Sequence, residues 1–307
     1  MNLLSPTREN LLSVATALLA GQNAILPTET VYGLAADATN EDAVRNIFAL
    51  KGRPADNPLI VHVSSLKQAS AFVLEFPEIG NRLAEAFMPG PLTLVVRKRP
   101  TVSDIVTGGL DTVAIRMPDH PVCLAVMELG NIALAMPSAN PFMGLSPTRI
   151  DMVDAELAEK VFAVVDGGPC PFGIESTVVD ITGEPSILRP GSISRQEIEA
   201  VLDQPVSSSA SQSGRRSPGQ YRRHYSPKTR CSIVAKLALG QPGLTLSEAS
   251  LNQIQMPTDP KEYARLLYAS MAELDSLGLT EFGIEAPPED ARWTAVWDRL
   301  IKATATA

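Results

Sequence analysis

The segment KGRPADNPLIVH, residues 51–62, sets Lys51, Arg53 and Asn57 in a stretch stiffened by Pro54 and Pro58, and the strand that follows carries His62. A guanidinium held in a fixed direction beside a flexible ammonium suits phosphate oxygens. A solvated loop is the competing reading, because a lysine in the last turn of a helix is favourable wherever it occurs. In TVAIRMP (112–118), Thr112, Ala114 and Arg116 share one strand face, so Arg116 is a cation on a strand that reads as buried. It needs an anionic partner, either a ligand carboxylate or an internal Glu. PSANPFMGLSPT (137–148) groups Ser138, Asn140, Ser146 and Thr148 among prolines and a glycine. Such a loop offers donors to a polar ligand, or it is simply a turn closed by its own side chains. GIESTVVD (173–180) puts Ser176 at a strand start and ILRPGS (187–192) puts Arg189 at a strand end.

Hydroxyls and cations at the ends of several strands are the usual lining of a ligand cleft in an α/β sheet. There is no G-x-S-x-G segment, and no serine or cysteine has an evident base beside it. Glu29, Glu175 and Asp180 show no spacing that would pair two carboxylates. Cys123, Cys170 and Cys231 are scattered, and with only His62, His120 and His224 to join them they form no metal-ligand pattern. A site built from cations and hydrogen-bond donors, without a covalent actor, fits phosphoryl or nucleotidyl transfer.

Something must hold these residues in place. ENLLSVATALLAGQ (9–22) and TNEDAVRNIFALKG (39–52) have the apolar spacing of helices, the second capped by Thr39 or Asn40 and stopped by Gly52. Further helices are expected near 77–88, 119–130 and 150–160. PLIVHV, LTLVVRK, TVAIRMP, IALAMP, VFAVVDGG, STVVDI and PSILRPG read as short strands between turns. Strands and helices mixed at this spacing indicate an α/β domain, placed at residues 1–203. Residues 204–230 are rich in Ser, Pro and Arg and nearly free of aliphatics, as a linker would be. Between 205 and 236 lie the cations Arg215, Arg216, Arg222, Arg223, Lys228, Arg230 and Lys236 and no acid, so this segment should lie on an acidic surface or an anionic ligand. Residues 231–307 form a small α/β-like tail with one clear helix around KEYARLLYASMAELDSLG.

The chain as a whole, 307 residues with a net charge of −8, argues against a general nucleic-acid or membrane-surface binder. MNLLSPTREN lacks a basic start followed by an apolar core, and no apolar run reaches membrane-spanning length, so the cytoplasm is the expected location.

Taken in order, PTETVYGL (27–34), KGRPADNPLIVH (51–62), MPGPLTLVV (88–96), VAIRMP (113–118), PSAN…SPT (137–148), GIESTVVD (173–180) and ILRPG (187–191) resemble the signature segments of the YrdC-like domain. SPGQYRRHYSP followed by a small domain looks like the two-domain L-threonylcarbamoyladenylate synthases. The resemblance implies a twisted mixed sheet with helices around an open cationic cleft, plus a small C-terminal α/β, Rossmann-like domain. It implies a nucleotidyltransferase that makes threonylcarbamoyl-AMP and pyrophosphate from L-threonine, bicarbonate or CO₂, and ATP. The product would serve a downstream threonylcarbamoyl transferase machinery that modifies adenosine 37 of tRNAs reading ANN codons, with tRNA itself bound weakly or not at all.

By motif matching, the resemblance assigns L-threonine to Thr30, His62, Arg116, Ser176 and the backbone near Met136. It assigns ATP to Lys51, Arg53, Asn57, Thr112, Ser138, Asn140, Ser146 and Arg189, with His224 or Tyr225 of the linker as a cover. Lys51 and Arg53 would neutralise the triphosphate as pyrophosphate leaves. Mg²⁺ is expected with ATP, held mainly by phosphates and water, with no metal site built by the protein.

This sequence departs from the family pattern at three points. Met88 stands where Trp often precedes PGPLT, QYRRHY displaces the usual linker tyrosine by one residue and unsettles the role of Tyr221, and the tail is short for the family's second domain. Two rival readings are a non-enzymatic RNA-binding module and a YrdC-like enzyme that carbamoylates another acceptor. The acidic net charge and the lack of an aromatic–basic stripe weigh against the first.

Overall fold

In the computed structural model, which describes residues 1–208 and 221–305, the helix that carries Lys51 spans Glu41–Lys51. Asn40 Oδ1 accepts hydrogen bonds from the Asp42 and Ala43 amides at its start, and Gly52, at φ 63°, ends it in the left-handed region. Lys51 is therefore delivered by a helix end, and Arg53 follows immediately after the turn.

Eleven strands make the main sheet: β1 (Leu3–Leu4), β2 (Ala24–Leu26), β3 (Gly33–Asp37), β4 (Ile60–His62), β5 (Leu92–Arg97), β6 (Thr112–Arg116), β7 (Leu134–Ala135), β8 (Val164–Val165), β9 (Thr177–Asp180), β10 (Ser186–Arg189) and β11 (Ser207–Ser208). Their order is β1-β8-β2-β3-β7-β4-β6-β5-β9-β10-β11, with parallel and antiparallel neighbours. Strands β4 and β6 run parallel in a register that sets Ile60 beside Ala114 and His62 beside Arg116. Pairs of this kind share a face, so the residues the sequence placed on one side of each strand meet on one side of the sheet. There Ile60, Val95, Ala114, Val178 and Leu188 form a small apolar floor. One large apolar core packs Ile47, Phe48, Leu94, Val113 and Ile198. Another gathers around the helices Arg8–Leu19 and Pro121–Gly130.

The helix expected near 150–160 is two short pieces, a 3-10 turn at Ile150–Met152 and a helix at Ala155–Glu159. Val153 is extended between them and Asp154 caps the second. Four helices were not expected, two of them the four-residue turns Leu66–Ala69 and Asp104–Thr107. Arg195–Leu202 starts at a capping box of Ser194 and Glu197, a visible signal, and Thr294–Thr304 closes the tail. Strand β3, GLAAD, lacks β-branched residues and exists because β2 and β7 pair with it on either side. The chain stays on the main sheet through β11, at Ser208, beyond the expected end of the first domain. Of the expected linker, residues 209–220, with Arg215 and Arg216, lie outside the described residues.

The tail builds a four-stranded parallel sheet from β12 (Arg230–Val234), β13 (Gly243–Thr245), β14 (Gln253–Gln255) and β15 (Glu281–Glu285), in the order β12-β15-β13-β14. The helices Pro260–Ser276 and Thr294–Thr304 pack with it. Its core is shared: Val31 and Ile174 from the large domain and Tyr225 from the linker join Leu267, Tyr268 and Leu300 in one cluster. Gly173, at φ 72°, sits against the second domain so closely that a Cβ there would lie 2.3 Å from the Arg265 carbonyl oxygen.

Candidate active site

The register of β4 and β6 brings His62 and Arg116 together at the carboxyl ends of two parallel strands. Arg116 is buried, and its Nη2 donates to Glu29 Oε1 at 2.7 Å and to Thr30 Oγ1 at 2.8 Å. Of the two partners the sequence left open, the protein supplies the internal Glu. The pair is not saturated, because Arg116 Nε and Glu29 Oε2 are buried without a hydrogen-bond partner. A ligand carboxylate and a donor would complete it.

Across the cavity, Lys51 Nζ donates to the backbone oxygens of Ser138, at 2.6 Å, and Asn140. Arg53 Nη2 donates to the carbonyls of Pro58, at 2.9 Å, and Asn57, at 3.3 Å. Both cations are buried. Among the described residues their contacts are carbonyl oxygens, and neither forms an ion pair. Arg53 Nε, both polar atoms of the Asn57 side chain and Asn140 Oδ1 have no partner. Burial, followed by the neighbouring Arg53 charge, pushes the Lys51 ammonium well below its ordinary value. Burial likewise brings Arg53 down to about 10.

A third group centres on Ser176. Its hydroxyl lies 2.8 Å from Thr93 Oγ1 and accepts from Arg189 Nη2 at 3.0 Å, while Arg189 Nε donates to the Ser176 carbonyl. Ser146 Oγ donates to Glu175 Oε1 at 2.6 Å. Burial alone would raise the Glu175 carboxyl, but Arg299, Arg189 and the Ser146 hydroxyl hold it down at about 2.

The linker closes this space with His224 and Tyr225. The His224 amide donates to Lys302 O, and the Ser226 amide donates to Met143 O. Tyr225 has φ 57°, a left-handed backbone that costs a bulky residue about 1–3 kcal/mol. Its ring is clasped to compensate: His224 is 4.0 Å away, Tyr268 stacks at 5.7 Å, and Arg299 Cζ stands 5.0 Å from the ring centre. His224 and His62 are both pushed down to about 3, chiefly by burial, and the nearby cations add to it. Both rings are neutral at pH 7. Tyr221 contacts the Phe142 ring edge to face at 5.1 Å.

The space, a narrow cavity of about 50 Å³, is lined by Arg53, His62, Arg116, Met136, Ser138, Arg189, His224 and Tyr225 of the residues that stand out in the sequence. Thr30, Lys51, Asn140, Ser146 and Ser176 stand one layer back, each bonded to a lining residue or to its neighbour. Asn57 is buried behind Arg53. Thr112 opens the strand that ends at Arg116, on the same face but roughly 13 Å away along it. Glu175, Thr28 and Val31 also line the space, and Glu29 stands behind it on Arg116; the sequence pattern marks none of the four as a site residue. In the sequence, Glu29 and Glu175 show no spacing that would pair two carboxylates. Their position inside PTET and GIES, beside chosen residues, was the signal available. Arg299 and Tyr268 offered none. A shallower depression near Glu41, Arg45 and Gly108 lies on the outer surface and gathers none of the site residues.

Comparison with known proteins identifies the family. The Sua5/YciO/YrdC family model, described as "Telomere recombination", matches residues 16–191, and the model "Threonylcarbamoyl-AMP synthase, C-terminal domain" matches 193–305. The chain is 38% identical to the threonylcarbamoyl-AMP synthase of Pyrococcus abyssi, over 92% of this chain and 91% of that one. It is 42% identical to the Bacillus subtilis enzyme of the same name, over 74% of this chain and 67% of that one. The crystal structure of P. abyssi Sua5 complexed with L-threonine superposes with a TM-score of 0.92 at 34% identity, covering 99% of this chain and 98% of the other. The chain belongs to the Sua5/YciO/YrdC family, in its form with a threonylcarbamoyl-AMP synthase C-terminal domain.

Proposed function

We propose that this protein is an L-threonylcarbamoyl-AMP synthase, joining L-threonine, bicarbonate or CO₂, and ATP with release of pyrophosphate. The observation that carries the reading is the burial of Lys51 and Arg53 with, among the described residues, only carbonyl oxygens as hydrogen-bond partners. Buried cations without a carboxylate call for an anion, and a triphosphate supplies several.

Opposite them, Arg116 Nε is free to receive the carboxylate of an amino acid, while Thr30 and Glu29 keep the guanidinium in place. Neutral His62 beside it adds no second positive charge, so the threonine amine can sit there unprotonated and capture CO₂. The carbamate oxygen then attacks the α-phosphorus, and the bond to the β-phosphate oxygen breaks as pyrophosphate leaves. Lys51, Arg53 and Arg189 stabilise the charge that develops. Asn57, Thr112, Ser138, Asn140 and Ser146 serve the nucleotide side, with His224 and Tyr225 covering it. Among the described residues no group of three His, Cys, Asp or Glu is placed to hold a metal. Mg²⁺ would enter as a companion of the ATP substrate, carried by phosphates and water. The product would be consumed in the cytoplasm by a transferase that modifies tRNA adenosine 37.

The test is pyrophosphate release from ATP by the purified protein. It is expected only with both L-threonine and bicarbonate present, and release indifferent to threonine would eliminate the assignment.

A further inference from the structure

Arg299 is fully buried, although it belongs to the last helix of the small domain, far in sequence from every site residue. Its Nε donates to Glu175 Oε2 at 2.9 Å, its Nη2 reaches the Glu175 carbonyl at 3.4 Å, and its Nη1 donates to the Pro190 carbonyl at 2.9 Å and to Asp298 Oδ2, on its own helix, at 2.7 Å. Glu175 precedes Ser176, and Pro190 follows Arg189. One guanidinium therefore grips the chain neighbours of both members of the Ser176–Arg189 hydrogen bond. The same group stands under the ring of Tyr225, and Tyr268 stacks on that ring while its own hydroxyl donates to Glu175 Oε2 at 3.0 Å.

We propose that Arg299 is a positioning residue: it ties the linker cover at Tyr225 to the adjoining ends of β9 and β10 that present Ser176 and Arg189, so that cover and substrate pocket are set together by the second domain. This rests on the proposed function for its kinetic consequence, while the hold on the linker stands by itself. A planar fork with donors on three nitrogens is required, because the acceptors lie in different directions around it. The low Glu175 carboxyl is a corollary, since the cation that holds it ionised is the one that reaches the cover.

Two variants test this. Arg299→Lys keeps a charge beside Glu175 but cannot span to Pro190, and Arg299→Met combined with Glu175→Gln removes the Arg299–Glu175 pair while Asp298 keeps Lys302 as its partner. In each, with folding verified by thermal melting, the KM values for ATP and L-threonine are expected to rise about tenfold. Amide hydrogen exchange at His224 and Ser226 should quicken by about the same factor. Wild-type KM values or wild-type exchange in either folded variant would overturn the positioning role. Should wild-type protein release pyrophosphate without needing threonine, the proposed function fails, and the exchange result still decides whether Arg299 holds the linker.

Discussion

Arg116 and Glu29 form an ion pair of 2.7 Å with 4% and 2% of their side chains exposed, and each keeps one polar atom without a partner. The pair is both a scaffold and an unfinished binding site. Glu29→Gln leaves the guanidinium buried without its counter-charge, a loss of roughly 3 kcal/mol of stability. The KM for L-threonine should rise about tenfold as Arg116 loses its orientation. Saturating L-threonine should raise the melting temperature of the variant more than that of the wild type, because the ligand carboxylate replaces the missing charge.

Lys51→Ala and Arg53→Ala are each expected to lower kcat/KM by about a hundredfold or more in the pyrophosphate assay, the usual loss for one donor aimed at developing charge. Near-normal turnover in both would refute the phosphate assignment. Arg53→Lys should not rescue, since Nη2 alone meets the Pro58 and Asn57 carbonyls and Nε, a further donor that lysine lacks, is left for the phosphate.

Proton uptake gives an independent check. The Lys51 ammonium is depressed well below its ordinary value in the free protein, and a bound triphosphate favours its charged form. Between the depressed value and 10.5, ATP binding should therefore take up protons and weaken as pH rises. Calorimetry in buffers of different ionisation enthalpy reads the uptake, which Lys51→Met should reduce.

Acid should destabilise the fold from a higher pH than carboxylates alone would cause. His62 and His224 fall from 6.5 to about 3 on folding, so the stability tied to their neutrality is complete above about 6.5 and lost as pH drops toward 3. At pH 5 each should have cost roughly 2 kcal/mol. Glu175, at about 2 against 4.5 unfolded, adds its loss only below about 4.5. In denaturant titrations His62→Asn should shrink the drop in stability between pH 7 and pH 5 by roughly 2 kcal/mol, and an unchanged drop would contradict it.

His224→Ala should raise the KM for ATP about tenfold and leave the Lys302 backbone contact intact, because the amide makes that bond. Unchanged ATP affinity would remove the linker from the nucleotide site.

Much of this site was readable because its residues sit in stiff local contexts. Pro54 and Pro58 flank Arg53, Gly52 stops the helix behind Lys51, and strict alternation put Arg116 on a defined face. Their partners were less readable. Whether Arg116 would meet an internal carboxylate or a ligand depends on a residue 87 positions away, and no local pattern fixes that. Thr30 and Ser176 could be named as site residues, but their place behind Arg116 and Arg189 follows from tertiary packing. The last helix and Arg299 were invisible for the same reason: an arginine on an amphipathic helix near the end of a chain reads as solvated until the partner domain covers it.

Gly173 shows how close that covering is. With the Arg265 carbonyl oxygen 2.3 Å from where its first side-chain carbon would be, the two lobes meet backbone against backbone. A single methyl there would act as a wedge under the helix Pro260–Ser276, lifting Tyr268 and loosening its grip on Glu175.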